Sequence, residues 1–368
     1  MSEVRPLEDD DIPAVATMFQ RIFRHSGRAS PSLEAYLRSL FLDRRRPHPE
    51  IRSRVHVAES GAISGFIGAF GLSLSFEGRP LKAAVCGSLM VEGHRDDPFA
   101  GARLLRAFLA GQQDISITET ANDVATAMWR KANGMLLPDY SLEWLRILRP
   151  AAFALELAGE SVPPVRWLKP AAWPVDALLG RIGARHVGSY LSGAVPSRVL
   201  LSSEPADDTE TVELLQRLTS PFAVRPEWTA GQLDRMVAEA RDKPLYGTMV
   251  RRVVRRPGGR RAGLFLYHGD AGRIGRVLQV LAEPGQIGAV VDSMLACAQE
   301  QGLVALRGRC QPALLPELIE RRFLFSHAAA TIVHAREAAL IEPFRAGRAF
   351  FNGFAGESWT RLIGGRFA

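Results

Sequence analysis

The sequence has little of what most catalytic and binding chemistry starts from. Its 368 residues include three cysteines, Cys86, Cys297 and Cys310, spaced too far apart for a metal-ligand motif. They read as buried thiols of a reducing compartment, not as a disulfide framework. The eight histidines form no pair at helical metal spacing, so no metal is expected. No Ser–His–Asp or Cys–His signature is present, which leaves covalent acyl-enzyme chemistry without a candidate. No run of eighteen or more uncharged apolar residues exists, so no membrane span is expected. The opening "MSEVRPLEDDD" lacks the basic start and apolar stretch of a secretory signal, and a cytoplasmic location is expected. Nucleic-acid motifs are missing too, and no aromatics interleave with the basic runs, so DNA is not an expected partner.

Positive charge is in surplus. The net charge is +7, carried mostly by arginine. It suits an anionic ligand or partner, and it equally suits a solvated surface. The densest runs are Arg44–Arg46 and Arg251, Arg252, Arg255, Arg256, Arg260 and Arg261. An apolar share of 47% over this length is enough for two cores.

The chain reads as two halves built alike. A strand near Val4 leads into "DDDIPAVATMFQRIF", where acids cap a helix and Ile12, Val15, Met18, Phe19 and Ile22 share a face. Residues 31–43 give a second helix. Ser60-Gly61 and Glu77-Gly78 turn successive hairpins, and "CGSLMV" ends the last strand. A helix with Leu104, Leu105, Phe108 and Leu109 on one face follows, then strand "DISITET", helix "NDVATAMWRKAN" and closing strand "SLEWLRIL". After a Pro-rich stretch the order returns: strand and helix in "AVRPEWTAGQLDRMVAEA", a hairpin at Pro257-Gly258-Gly259, then strand, helix, strand, helix and strand. An internal duplication accounts for this economically. The expected division is 1–149, a helical linker at 150–205, 206–345, and an aromatic, Gly-rich tail at 346–368 that docks on a domain or covers the junction. The fold class is α/β with a mixed sheet in each half.

Two stretches carry a resemblance. The first is "VEGHRDDPFAGARLL", a strand, a turn and a helix with paired leucines. The second is the frame Asn122, Ala125, Met128, Trp129, Lys131 and Asn133-Gly134. With the element order, they resemble the GNAT superfamily of acyl-CoA-dependent N-acyltransferases, in its tandem bacterial form. The resemblance covers residues 3–148 by motif and 206–336 by layout.

The resemblance implies a thioester donor bound along a splayed strand. Ser88, Leu89, Met90 and Val91 would pair with pantetheine amides. The turn and helix start, with Ala100, Gly101 and Ala102 kept small, would cradle the pyrophosphate, helped by Arg95 and Arg103. Asn122 would bond pantetheine or cap its helix, and Trp129 would line the site. Glu119 and Glu92 are the candidate bases, each also readable as a solvated or salt-bridged carboxylate. The family often places an acidic tyrosine where Trp129 stands, and an indole cannot deliver a proton. Tyr140 is a nearby hydroxyl in an expected loop. Asp96 and Phe99 replace the glycines of the family turn.

The second half has only "PGQI" between strand and helix, too short for a pyrophosphate turn, so it is expected not to bind CoA and to shape the acceptor site. The implied function is transfer of an acyl group, acetyl by default, from acetyl-CoA or another acyl-CoA to a small-molecule amine. The arginine hairpin at 251–261 would recognise that amine if it is anionic. An acyl carrier protein is a possible donor partner. A non-catalytic thioester-binding protein and an aminoacyl-tRNA-dependent transferase stay open as alternatives.

Overall fold

The structure is a computed structural model, describing residues 2–27, 29–93, 95, 97–161 and 201–367, with backbone alone at 159–161. Asp96 of the turn, and 162–200 of the expected linker, lie outside the described residues. The first half contains strands β1 (Glu3–Pro6), β2 (Arg54–Val57), β3 (Ile63–Phe76), β4 (Arg79–Val91), β5 (Ile115–Ala121), β6 (Met135–Leu136) and β7 (Leu142–Ile147). Its helices are α1 (Ile12–Arg24), α2 (Pro31–Phe41), α3 (Ala100–Leu109), α4 (Asp123–Lys131), α5 (Pro138–Ser141) and α6 (Pro150–Ser161). The second half contains β8 (Ser202–Pro205), β9 (Val224–Pro226), β10 (Met249–Arg255), β11 (Arg261–His268), β12 (Ile274–Ala282), β13 (Ala305–Arg309), β14 (Leu324–His327) and β15 (Ala330–Ala335). Its helices are α7 (Asp208–Thr219), α8 (Ala230–Arg241), α9 (Ile287–Glu300), α10 (Leu315–Glu320) and α11 (Glu342–Arg345).

The local signals act as their chemistry dictates. Ser30, Asn122, Asp207 and Thr229 each cap a helix by accepting from the N–H three residues on. Glu77 and Gly78 both take positive φ, 52° and 88°, which is what a two-residue turn needs to match strand twist. Tyr140 belongs to the short helix α5, not to a loop.

The sheets repeat each other strand for strand, with one exchange. The first runs β1-β2-β3-β4-β5-β15-β6, with β9 pairing the far end of β3. The second runs β8-β10-β11-β12-β13-β7-β14. In each, one parallel pair, β4–β5 or β12–β13, sits at the centre of antiparallel neighbours. The strand "SLEWLRIL" therefore does not close its own half. It enters the second sheet between β13 and β14, and β15 returns to the first.

Packing explains where β7 goes. The Trp144 indole is buried, meets Phe323 edge-on at 5.2 Å and donates to the Arg309 carbonyl at 3.2 Å. It lies against Gly308, where a side chain would collide with the indole at 2.7 Å. Its complement is in the other half.

One apolar core joins α1 and α2 to α7, α8 and the tail. The tail is buried across the junction, with Phe350, Phe351, Phe354 and Trp359 inside. Among the described residues, no helix is long and apolar enough to cross a membrane. The three cysteines are buried and unbonded to one another.

The exchange makes a testable claim about the halves. Residues 1–149 alone would leave β7 without a sheet and β5 without its β15 neighbour. They should be insoluble or lack cooperative unfolding by circular dichroism, and co-expression with 150–368 should restore a folded complex. A cooperatively folded 1–149 fragment would refute the claim.

Candidate active site

The parallel pair β4–β5 stays together only from Ala83–Ile115 to Cys86–Thr118. There β4 bulges. Gly68 opposes Gly87 and Ile67 opposes Leu89, which leaves Ser88 as the extra residue, at φ 67°. Beyond the bulge the strands diverge, and the β5-facing backbone of Ser88–Val91 has no strand partner among the described residues. A cleft of about 410 Å³ occupies the gap. Its walls include Ser88, Leu89, Asn122, Ala125, Trp129 and Glu357.

Several expected residues converge here. Ser88 and Leu89 line the cleft, while Met90 turns its buried side chain to the core. Asn122 caps α4, its Oδ1 accepting from the Ala125 N–H at 2.9 Å, and also lines the cleft. Trp129 forms the floor, edge-on to Phe108 at 6.0 Å.

The turn at 92–99 differs from the expectation. The Arg103 guanidinium is engaged by the Asp97 carboxylate and donates to His56 Nε2 at 2.7 Å and Ser2 Oγ at 3.2 Å. Burial, and then Arg103 itself, push the His56 pKa down, so the neutral ring can accept. Any anion on this turn competes with Asp97 for Arg103. The missing side chain of Gly101 faces Met128 Sδ at 3.3 Å and Val91 Cγ2 at 3.6 Å, so this glycine seats α3 on β4 and α4. Ala100 is buried beside it, and Ala102 and Arg95 are exposed.

Neither expected base stands open in the cleft. Glu92 pairs with Arg21 at 3.5 Å on the protein surface. Glu119 is fully buried, and both its oxygens are occupied by the tail. Ser358 Oγ donates to Oε1 at 3.0 Å, and the Glu357 N–H donates to Oε2 at 3.0 Å. A methyl at position 356 would overlap that carboxylate, which fixes Gly356. Tyr140 is committed as well, donating to the Ala349 carbonyl at 2.7 Å, and burial raises its pKa.

The carboxylate that does face the cleft is Glu357. Its Oε2 lies over the bulge, 3.5 Å from where a Gly87 side chain would begin. Thr120 Oγ1 donates to its Oε1. Burial, then the nearby Glu119 charge, push its pKa up to about 7, against the opposing pull of Thr120 and Arg309. Tyr246 also lines the cleft. Sequence reasoning missed both residues. The available signal was that Glu357 is the one acid between 346 and 368.

The second half repeats the backbone device. Leu266 opposes Gln279 and Tyr267 opposes Val277, so Leu278 is the bulge, and β12 and β13 part after Val277–Gly308. At the start of α9, Gly288 leaves room for Arg321, which pairs with Asp292 at 2.7 Å and with Glu317. The arginine hairpin is likewise committed. Arg251 pairs with Asp208, Arg255 with Glu204 and Glu210, and Arg261 with Glu210 and Glu213. Three of the six arginines of the expected anion site are thus neutralised by acids of their own half.

No family model matches the sequence, and no curated protein matches it either. Solved structures do. An Enterococcus faecalis V583 protein described as a probable N-acyltransferase superposes with a TM-score of 0.58 at 8% identity, over 93% of this chain and 74% of that one. A GCN5-related N-acetyltransferase from Anabaena variabilis gives 0.57 at 12%, over 91% and 73%. One from Kribbella flavida gives 0.54 at 11%, over 91% and 71%. The chain thus has the α/β fold of the GCN5-related N-acetyltransferases, in agreement with the resemblance read from its motifs.

Removing the tail's anchor should be costly. Glu119→Ala leaves the buried Glu357 N–H without a partner and frees the half-buried Ser358 hydroxyl, an expected loss of roughly 1–3 kcal/mol in denaturant unfolding. Gly356→Ala should destabilise in the same direction. A change within 0.5 kcal/mol for both would show that the anchor holds nothing.

Proposed function

We propose that the protein is an N-acyltransferase that moves an acyl group, acetyl by default, from a CoA thioester to an amine. The observation that carries this is the bulge at Ser88, where a cleft between diverging strands meets the buried carboxyl of Glu357. The unpaired edge of Ser88–Val91 would take the pantetheine amides as an added strand, which brings the thioester to the bulge. The donor's phosphates would lie toward the 92–99 turn and the first amides of α3, where Asp97 limits what Arg103 contributes.

Chemistry then needs a deprotonated amine and a leaving thiolate. Glu357 accepts the proton from the incoming ammonium, and the amine nitrogen attacks the thioester carbon. A C–N bond forms and the C–S bond breaks, and the nitrogen's second proton, released as the amide forms, ends on the leaving thiolate. Tyr246, which lines the cleft, is the hydroxyl that would relay it. A base that titrates near 7 has both the correct charge and enough proton affinity at neutral pH. Glu119 acts as a positioning residue for this step. The second half, with Arg321 filling the start of α9, shapes the acceptor side and does not take CoA.

The pairing of Arg251, Arg255 and Arg261 with acids lowers what the basic hairpin lends to an aminoacyl-tRNA donor. A carrier-protein donor is the alternative if free acyl-CoA does not bind.

Calorimetry with acetyl-CoA, a longer acyl-CoA and free CoA should show saturable binding. Ala125→Trp, on the half-exposed wall of the cleft, should weaken it about tenfold or more, or roughly 1.4 kcal/mol. Absence of binding by all three would overturn the reading. With an active amine, kcat/KM should rise with pH through about 7 as Glu357 loses its proton. Glu357→Gln should abolish that limb and cost roughly 10²–10⁴ in kcat. An unchanged profile in Glu357→Gln would assign the base elsewhere.

A further inference from the structure

The bulge at Ser88 makes the acyl cleft a passage through the sheet. Successive residues of β3 and β4 point to opposite faces. Phe66, Val85 and Met90 join the apolar core under α1 and α2, while Ile67, Cys86 and the leucines of α3 join the core under α3 and α4. The cleft reaches both sides of this wall. Asn122, Ala125 and Trp129 line it on the α4 face, and Phe19, Phe23 and Arg24 of α1 line it on the other. Paired strands would close such an opening, and it exists because β4 and β5 part after Cys86–Thr118.

The α1 end of the passage is apolar. Phe19 is buried, and Phe23, one turn on, packs against it at 5.2 Å between ring centres. Phe23 is nevertheless 47% exposed, an apolar ring left where the cleft opens. The tail adds Leu362 to the same lining. Arg24 clasps that part of the tail to α1. Its Nη2 donates to the Leu362 carbonyl at 3.0 Å and to the Gly365 carbonyl at 3.2 Å, and its guanidinium lies 5.9 Å from the centre of the Phe19 ring. Helix, clasp and tail therefore hold this apolar lining in place beside Glu357. The gap of the second half, about 220 Å³ beneath the bulge at Leu278, is lined by Lys243, Arg307 and Arg309, and among the described residues no phenylalanine lines it.

We propose that the donor carries an acyl chain longer than acetyl, of butyryl to octanoyl length, and that Phe23, with Phe19 and Leu362, selects it. The assignment rests on the acyl-transfer reading for the identity of the donor and narrows its acetyl default. The turn that faces the donor's phosphates leads into α3, on one face of the sheet. A thioester threaded to the bulge from that side delivers its acyl end to the other face, among the α1 aromatics. Acetyl presents one methyl there, and two phenylalanines and a leucine are more apolar surface than one methyl covers. The cleft volume of about 410 Å³, which the pantetheine arm shares, is too small for a long fatty chain.

The test is a calorimetric series: free CoA and the acetyl, butyryl, hexanoyl and octanoyl thioesters of CoA. Full burial of a methylene is worth about fourfold in affinity, so even a partly exposed chain should make hexanoyl-CoA bind about tenfold or more tightly than acetyl-CoA. Phe23→Ala and Phe23→Asp should each cut the hexanoyl-to-acetyl ratio by about fivefold or more, Asp the more strongly because it brings charge to apolar surface. The melting temperature is followed in parallel, and Phe23→Ala serves alone if Phe23→Asp fails to fold. Equal affinity along the series, or a ratio that neither variant moves, would overturn the proposal. If no CoA compound binds, the CoA-donor reading falls, and acetyl- and hexanoyl-pantetheine then decide the pocket. A hexanoyl preference that Phe23→Ala reduces supports it, and binding by neither refutes it.

Discussion

The structure turns on one buried carboxylate. Glu119 sits at the end of the central parallel strand pair and spends both oxygens on the tail. Burying a carboxylate is unfavourable unless its oxygens are bonded. Here the bonds come from a turn far along the chain, and they fix the one acid that faces the acyl cleft. Gly356 is the steric counterpart, since only a residue without Cβ fits against Glu119. The tail's aromatic side chains supply the apolar burial that keeps the turn in place.

This arrangement sets stability against function. The raised pKa of Glu357 means that the folded state holds a proton the unfolded chain would release. The associated stability is fully present below the ordinary value of 4.5 and is lost as pH rises through about 7. On the proposed mechanism Glu357 would become competent as a base over the same interval. The Glu119 anchor, the Lys243 bonds to Thr360 and Ile363, and the buried aromatics are what hold the turn once Glu357 is charged.

Much of the fold was legible, because helix caps, two-residue turns and apolar periodicity are local signals. Asn122 at the start of α4 and Glu77-Gly78 between β3 and β4 are where the sequence places them. The exchange of β7 and β15 was not legible, because alternation says that "SLEWLRIL" is a strand and nothing about its neighbour. The partner is decided by a fit between Trp144 and Gly308, far apart in the chain. The site was half legible for the same reason. Ser88, Leu89, Asn122 and Trp129 belong to one continuous stretch of fold and line the cleft. Glu357 arrives from the other end of the chain. The pairing of Arg251 and Arg261 was not legible either, because the acids that meet them, Asp208, Glu210 and Glu213, sit on a helix the pattern reading passed over.

The repeated sheets explain why two clefts exist, and their linings explain why they need not do the same work. A duplicated bulge opens a strand pair in each half, and backbone geometry alone would offer an amide-bonding edge in both. Side chains break the equivalence. In the first, small residues and the buried Glu357 carboxyl line an open cleft. In the second, the helix start is filled by Arg321 with its carboxylates, and guanidiniums crowd the bulge.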